Sequence, residues 1–374
     1  MLSNLVSLRK LTITGPLFQN ADDQLQFGSI LAQNSLEEFG YEGALGCEWW
    51  PGASLGSLSR LKSICWKASE NCDTPIEDRL SPMWDLLTSS RLTLTTLSLP
   101  FGVSEEDVND QLWAMHFPSL RSLKLGVWEF DSTRAATGFT SFVLSHSTLE
   151  ELDLDYGNYD DYALSFDESS LESLTAQSLP NLRTLGCNTH CLAVLLRAKV
   201  QSLCTLSSLK TGPGGVDDPT LAMDSLYRAL STFPNALSNL KELKLDLSQW
   251  EETERDDILD SIRRLSKYCG HKLETWHNGL PAMVQFSASR LRSIFTPFRQ
   301  LRSLHLASRL ILNNSQHNDV SVESSILALA LSCRNLEEVH LESPGLKGEA
   351  DGVWLIERGK EGSYGVNVHR RIVF

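Results

Sequence analysis

One short pattern, Leu-x-x-Leu-x-Leu, recurs along the chain, most plainly at 120–125 (LRSLKL), 149–154 (LEELDL), 240–245 (LKELKL) and 301–306 (LRSLHL). Aligning weaker copies on their first leucine places twelve anchors: Leu8, Leu36, Leu61, Leu94, Leu120, Leu149, Leu182, Leu206, Leu240, Leu273, Leu301 and Leu336. Intervals between anchors run from 24 to 35 residues, a mean period of about 30. Side chains alternate faces along a strand, so Leu123 and Leu125 of LRSLKL point one way while Ser122 and Lys124 point the other. A single unit cannot cover its own leucines. Neighbours stacked about 4.8 Å apart as a parallel sheet cover one another, and each strand then needs a return path, usually a helix.

Helical patterns do fall between the anchors. At 82–88, Ser81 is a candidate N-cap with Pro82 at the first helical position, which suits both residue types. The run 104–115 opens on Ser104 with acidic residues in its first turn, where the helix dipole favours them. Further candidates are 138–146, 192–199, 221–232, 256–269 and 322–333; in the last, Ile326, Leu329 and Ala330 form one apolar face. Phe233-Pro-Asn, Phe117-Pro-Ser and Leu179-Pro-Asn share a habit of ending a helix at proline before the next strand. Weak repeats stand at 36–41, 206–211 and 273–278, each lacking an apolar residue or carrying an aromatic one.

The expected fold is therefore an α/β leucine-rich-repeat solenoid: a curved parallel sheet with helices on its convex side and about twelve irregular repeats. Residues 1–345 form the solenoid. The stretches GVWLIER and VNVHRRIVF, separated by a Gly-rich turn, read as two alternating strands, so 346–374 becomes a C-terminal strand-rich cap of the same domain. Repeat arrays need a covered edge at each end, yet Leu5, Leu8, Leu11 and Ile13 belong to a repeat with nothing before it. The chain is expected either to be a fragment of a longer protein or to use a partner there.

Composition removes several classes of function. Asp and Glu number 47 against 33 Lys and Arg, a formal charge of −14, and no basic stripe appears, so a nucleic-acid partner is not expected. No signal peptide opens the chain and no stretch approaches the roughly 20 apolar residues needed to span a bilayer, so an intracellular, cytoplasmic or nuclear, protein with no membrane association is expected. The eight cysteines are scattered; Cys187-Asn-Thr-His-Cys191 lacks the second pair of ligands of a zinc site and reads better as buried thiols. There is no G-x-S-x-G, H-E-x-x-H, P-loop or G-x-G-x-x-G, and the glycine cluster at 212–215 lacks the Lys-Ser/Thr of a phosphate cradle and reads as a turn. No catalytic residue, cofactor or metal is assigned. His277, His305 and His340 would face outward by alternation, but the nine histidines fall singly, and a metal shared between non-adjacent strands is not expected.

Binding is where the pattern informs. The outward positions of successive strands line one concave surface, the part of a solenoid that meets protein partners. The most charged repeat is the sixth, where Glu151, Asp153 and Asp155 face one way and Tyr156, Tyr159 and Asp160 follow. Two readings stand: an acidic, tyrosine-flanked spot for a basic segment of a partner, or a solvated acidic loop. Trp49 and Trp50 likewise read either as a contact anchor or as loop tryptophans folded over an edge leucine.

The Leu-x-x-Leu-x-Leu units, the phrase SCRNLEEVHL at 332–341 and the WLIER…GSYGV…R tail together resemble fungal F-box/leucine-rich-repeat proteins with a ribonuclease-inhibitor-like superfold. The resemblance covers nearly the whole chain, from about Leu5 to Phe374. It implies a substrate-recognition part of a Skp1–cullin (SCF-type) ubiquitin ligase, the alternative being a stand-alone repeat scaffold. It departs from that family in two ways. No F-box bundle stands before Leu5, so Skp1 and cullin become partners only if one lies upstream. The turn-closing Asn or Cys is also replaced, for example by Pro16, Ala44, Gly102 and Pro344.

Overall fold

The structure, a computed structural model, describes residues 8–14, 35–43, 58–68, 76–99, 111–126, 133–154, 171, 173–212, 219–246, 255–277, 288–307, 322–342, 352–358 and 366–371. Two compact units divide the chain, 1–182 and 183–374.

In the first unit six strands, β1 (Lys10–Thr14), β2 (Glu38–Gly43), β3 (Ser63–Ala68), β4 (Thr96–Leu99), β5 (Ser122–Leu125) and β6 (Glu151–Asp153), run parallel in chain order. In the second unit β7 (Thr184–Gly186), β8 (Ser208–Thr211), β9 (Glu242–Leu245), β10 (Thr275–His277), β11 (Ser303–Ala307) and β12 (Glu338–Glu342) do the same. Every strand begins two residues after its anchor leucine, including those of the three weak repeats. From Leu36 to Leu336 every anchor is buried, whereas Leu8 and Leu11 of the first repeat are only half covered. Each unit is a leucine-rich-repeat stack, because only adjacent repeats bury these leucines.

A backbone rule holds the register. Within each unit's parallel stack, the carbonyl one residue after an anchor accepts two N–H groups from the next repeat: Lys62 O takes Thr95 N (2.8 Å) and Thr96 N (2.9 Å), and Lys241 O takes Glu274 N (2.8 Å) and Thr275 N (2.9 Å). A second, side-chain ladder sits just before the strands. Thr93 and Thr148 donate to the preceding anchor carbonyls, Leu61 O and Leu120 O. Asn181, Asn239 and Asn335 donate to Ser147 O, Cys204 O and Arg299 O. At these five repeats a turn carbonyl is therefore satisfied by the residue preceding the anchor; the replaced turn-closing positions Pro16, Ala44, Gly102 and Pro344 lie outside the described residues.

Helices return the chain. They are α1 (Ile76–Ser90) and α2 (Thr133–Ser145) in the first unit. In the second they are α3 (Thr189–Arg197), α4 (Pro219–Thr232), α5 (Arg255–Cys269), α6 (Ala288–Phe295) and α7 (Val322–Ser332). Three starts differ from the sequence expectation, α2 beginning at Thr133 rather than at residue 138. Ser81 and Pro82 lie inside α1, which accepts the loss of one backbone donor because Met83, Leu86 and Leu87 are buried and Ser90 Oγ holds the helix end to Leu58 O at 2.9 Å. Helix α3 starts at Thr189, capped by Asn188, whose Oδ1 accepts the Cys191 N–H at 2.8 Å. It also stops sooner: Lys199 takes φ 54°, and Val200 N bonds back to Leu195 O, a Schellman closure usually built on glycine. The expected helix 104–115 is described only from residue 111, where 111–113 are helical. Helix α6 had no sequence counterpart, since eight residues give little more than two turns of periodicity.

Beyond β12 the sheet changes sense: β13 (Gly352–Arg358) pairs antiparallel with β12, and β14 (Val366–Arg371) antiparallel with β13. The two strands read from GVWLIER and VNVHRRIVF are thus both present. Of the 212–215 cluster only Gly212 is described; a Cβ there would lie 2.6 Å from Asp246 O, so glycine permits the close approach of the next repeat.

A buried histidine couples the first unit to pH. His146 Nε2 accepts the Phe117 N–H at 2.9 Å, and its Nδ1 lies 2.6 Å from Phe142 O, a pair that sets a neutral tautomer. Burial, helped by neighbouring His116 and opposed by the Phe142 carbonyl, holds its pKa below the ordinary 6.5. A depressed imidazole value means that the unfolded chain protonates first. Stability is then complete above about 6.5 and declines as pH falls from there toward the folded value. The first unit is expected to melt lower at pH 5.5 than at 7.5, and His146→Gln to flatten that dependence; equal slopes in both proteins would exclude His146 as the cause.

Candidate functional site

Alternation along the strands gives each unit two faces. In the first, Leu123 and Leu125 of β5 and Ile64 and Trp66 of β3 are buried, while Ser122, Lys124, Ser63 and Cys65 are partly open. The open side carries polar side chains at two register rows, two and four residues after the anchors, with Gly40 and Gly186 as gaps in the second row.

Charges on these rows and just before them pair between neighbouring repeats. Lys10 meets Glu38 at 2.9 Å, Lys62 meets Glu37 at 3.0 Å, Arg121 meets Glu150 at 2.8 Å and Lys124 meets Glu151 at 2.8 Å. Glu37 is held below the usual carboxylate range by its hydrogen bond to Lys62. Exposed pairs of this kind are screened by solvent, so they tune register and surface charge more than stability.

The structure places Glu151 and Asp153 on the open face of β6, both half-buried. Glu151 is already engaged, by the Lys124 ammonium and by the Ser122 hydroxyl, which donates to its Oε2. Asp155, Tyr156, Tyr159 and Asp160, and likewise Trp49 and Trp50, lie outside the described residues.

The second unit presents a feature that sequence reasoning did not assemble. His277, His305 and His340 stand on β10, β11 and β12, which are adjacent strands, and they pair in register. They do not fall singly, and the strands that carry them are neighbours. Ring centroids are 4.2 Å apart for His277 and His305, and 4.0 Å apart at an 11° interplanar angle for His305 and His340. The signal was present as arithmetic: each of the last three anchors, Leu273, Leu301 and Leu336, is followed four residues later by histidine.

Acids and a hydroxyl line the neighbouring row. Glu242 Oε1 is 2.8 Å from His277 Nε2, and Ser303 Oγ donates to Glu338 Oε1 at 2.8 Å while lying 3.3 Å from His305 Nε2. Glu338 Oε1 also approaches His340 Nε2 to 3.1 Å, but at an angle that makes no hydrogen bond. Burial first, and the two flanking imidazoles next, push His305 down to about 4 against the pull of Glu338. Burial would raise Glu338, but the Ser303 and His340 contacts outweigh it and hold that carboxyl below its usual range. Because the three Nε2 atoms face different oxygens, the rings do not converge; among the described residues no group of three His, Cys, Asp or Glu is placed to hold a metal.

No helix among the described residues is long and apolar enough to cross a membrane. No protein-family model matches the chain, and no curated protein matches it. Solved structures do align. A leucine-rich-repeat protein of Legionella pneumophila, LegL7, is 15% identical over 79% of this chain and 87% of its own, with a TM-score of 0.48. A chain of the Drosophila Toll–Spatzle complex is 14% identical over 84% of this chain and 38% of its own, TM-score 0.38. A chain of the TLR13–ssRNA13 complex is 13% identical over 91% of this chain and 56% of its own, TM-score 0.34. The leucine-rich-repeat fold of this chain rests on its own strand order and register.

Proposed function

We propose that the open face of the sheet is a protein-docking surface. The observation that carries this reading is the pair of in-register polar rows, held at fixed spacing by a buried leucine core and by the backbone ladder between repeats. Side chains held this way lose little further freedom on binding. The formal charge of −14 argues for a protein partner over a phosphate backbone. In the first unit the proposed contact for a basic segment of the partner is the acidic group Glu151, Asp153, Asp155, Tyr156, Tyr159 and Asp160, and Trp49 and Trp50 form a separate contact anchor. By the family resemblance, the surface recognises substrates of a Skp1–cullin ubiquitin ligase, and the strands 352–371 act as the cap of the second unit. A stand-alone scaffold is the competing role.

Photo-cross-linking tests the face. A probe at Ser208, on the open side of β8, is expected to capture a partner that a probe at exposed Arg228 of α4 does not. Capture from Arg228 alone would overturn the assignment of the face. Reversal of Asp153 and Asp155 to Lys is expected to weaken capture about tenfold or more if the acidic group is the contact. Co-purification with Skp1 and a cullin separates the ligase role from the scaffold role.

A further inference from the structure

The histidine stack belongs to a longer row. Register carries it from Lys210 on β8 through Lys244 on β9 to His277, His305 and His340, and then across Val353 on β13 to Arg371 on β14. Seven successive strand positions thus hold six basic or protonatable side chains, interrupted only by Val353. We propose that this row docks an acidic, extended segment of a partner protein, and that docking is coupled to proton uptake by the stacked imidazoles. The inference rests on the reading of the open face as a docking surface and adds the chemistry of the partner and its dependence on pH.

Charge geometry favours this occupant. Strands are spaced about 4.8 Å apart, and an extended peptide places same-side carboxylates about 7 Å apart, so each same-side carboxylate of a segment crossing the strands falls within about half a strand spacing of a row position. Two carboxylates already stand beside the row: Glu242 lies 2.8 Å from His277, and Glu338 accepts from Ser303 and lies 3.1 Å from His340. On the row's other flanks, Lys241 pairs with Glu274 at 3.4 Å, Arg302 with Glu337 at 3.5 Å, and His369 with Glu357 at 3.7 Å. Val353 and Leu355 of β13 face His340 and Glu338 across the antiparallel pair, so among the described residues no additional acid is paired opposite the end of the stack.

Stacked rings explain the coupling. Without a partner, a proton on His305 would lie between two other imidazoles and in a half-buried position, and the neutral form is favoured. A partner carboxylate laid over the row adds counter-charge to that of Glu242 and Glu338 and favours a proton on His305. By linkage, each proton taken up on binding strengthens the complex about tenfold per unit fall in pH, across the interval between the free and bound values. A metal ion is the less suitable occupant, because the three Nε2 atoms lie against different oxygens.

Calorimetry of the full chain with a capped hexa-glutamate peptide tests the proposal, at pH 7.5 and 5.5 and in buffers of different ionisation enthalpy. Expected are an affinity at least about tenfold higher at pH 5.5 and a net proton uptake by the wild-type protein. The triple variant His277→Gln/His305→Gln/His340→Gln, checked for an unchanged melting profile at pH 7.5, is expected to lose the pH dependence. No binding, no proton uptake by the wild type, pH dependence surviving in a folded triple variant, or preference for a hexa-lysine peptide would each overturn the proposal. Wild-type proton uptake decides the matter even if the variant does not fold. The docking reading itself is tested separately by the Ser208 cross-link, which does not depend on the partner's charge.

Discussion

Trp276→Ala is expected to lower the stability of the second unit by about 3–5 kcal/mol, the range for truncating a fully buried aromatic. Its indole is 0% exposed and meets Phe295 at 5.6 Å and Phe298 at 5.3 Å, both edge-on. The two phenylalanines come from α6 and the turn after it, so truncation leaves a void on the underside of the sheet where three rings met. Domains are stable by about 5–15 kcal/mol, and a loss of this size is a large share of that. Trp276→Phe is expected to cost much less, since it keeps an aromatic face and removes an indole N–H that makes no hydrogen bond. Urea unfolding of the variants checks this, with Leu331→Ala, at a side chain 61% exposed, as the control. A Trp276→Ala shift no larger than the control's would refute the packing account.

Arg358→Ala is expected to release the C-terminal strands from the last repeat, at about 2–3 kcal/mol. Its Nη2 lies 3.0 Å from Ala330 O, 3.0 Å from Cys333 O and 3.1 Å from Leu336 O. These carbonyls belong to the last turn of α7 and the turn after it, where backbone acceptors lack helical partners and a cation is favoured by the helix dipole. One nitrogen with two hydrogens shares itself among the three acceptors, so the anchor acts as a unit. Burial pushes the nearby Cys333 thiol up to about 11, against the pull of Arg358, and the thiol stays neutral beside this contact. Hydrogen exchange is the measurement: β13 and β14 should exchange faster in Arg358→Ala while β8 and β9 do not change. Arg358→Lys should restore only part of the protection, because an ammonium does not reproduce the guanidinium fork. Unaltered exchange in β13 would show that strand pairing alone holds the hairpin.

Much of the fold was legible because its rules are local. Alternation along LRSLKL or LEELDL is a property of adjacent residues, so anchor positions, strand starts and the division into buried and open sides could be read directly, even at LETWHN. Helix limits were less legible. Pro82 looked like a beginning because proline usually starts helices, and only the burial of Met83, Leu86 and Leu87 carried the helix through it. Helix α6 was missed because its short run has little periodicity of its own, and Phe295 gains meaning only against Trp276.

The candidate site divides the same way. Glu151 and Asp153 were identified as outward-facing, and they are, but the engagement of Glu151 by Lys124 and Ser122 comes from a repeat 27 to 29 residues earlier. The histidine row was visible as three residues at one repeat position, yet its stacking depends on β10, β11 and β12 being neighbours in one register. By itself the sequence determined which side of each strand a residue takes, since that follows from a period of two within a few residues. Only the tertiary structure decided which side chains meet across repeats, because Arg358 against α7, Trp276 against Phe295 and His305 between two imidazoles all join segments distant along the chain, whose alignment is set by backbone register and packing.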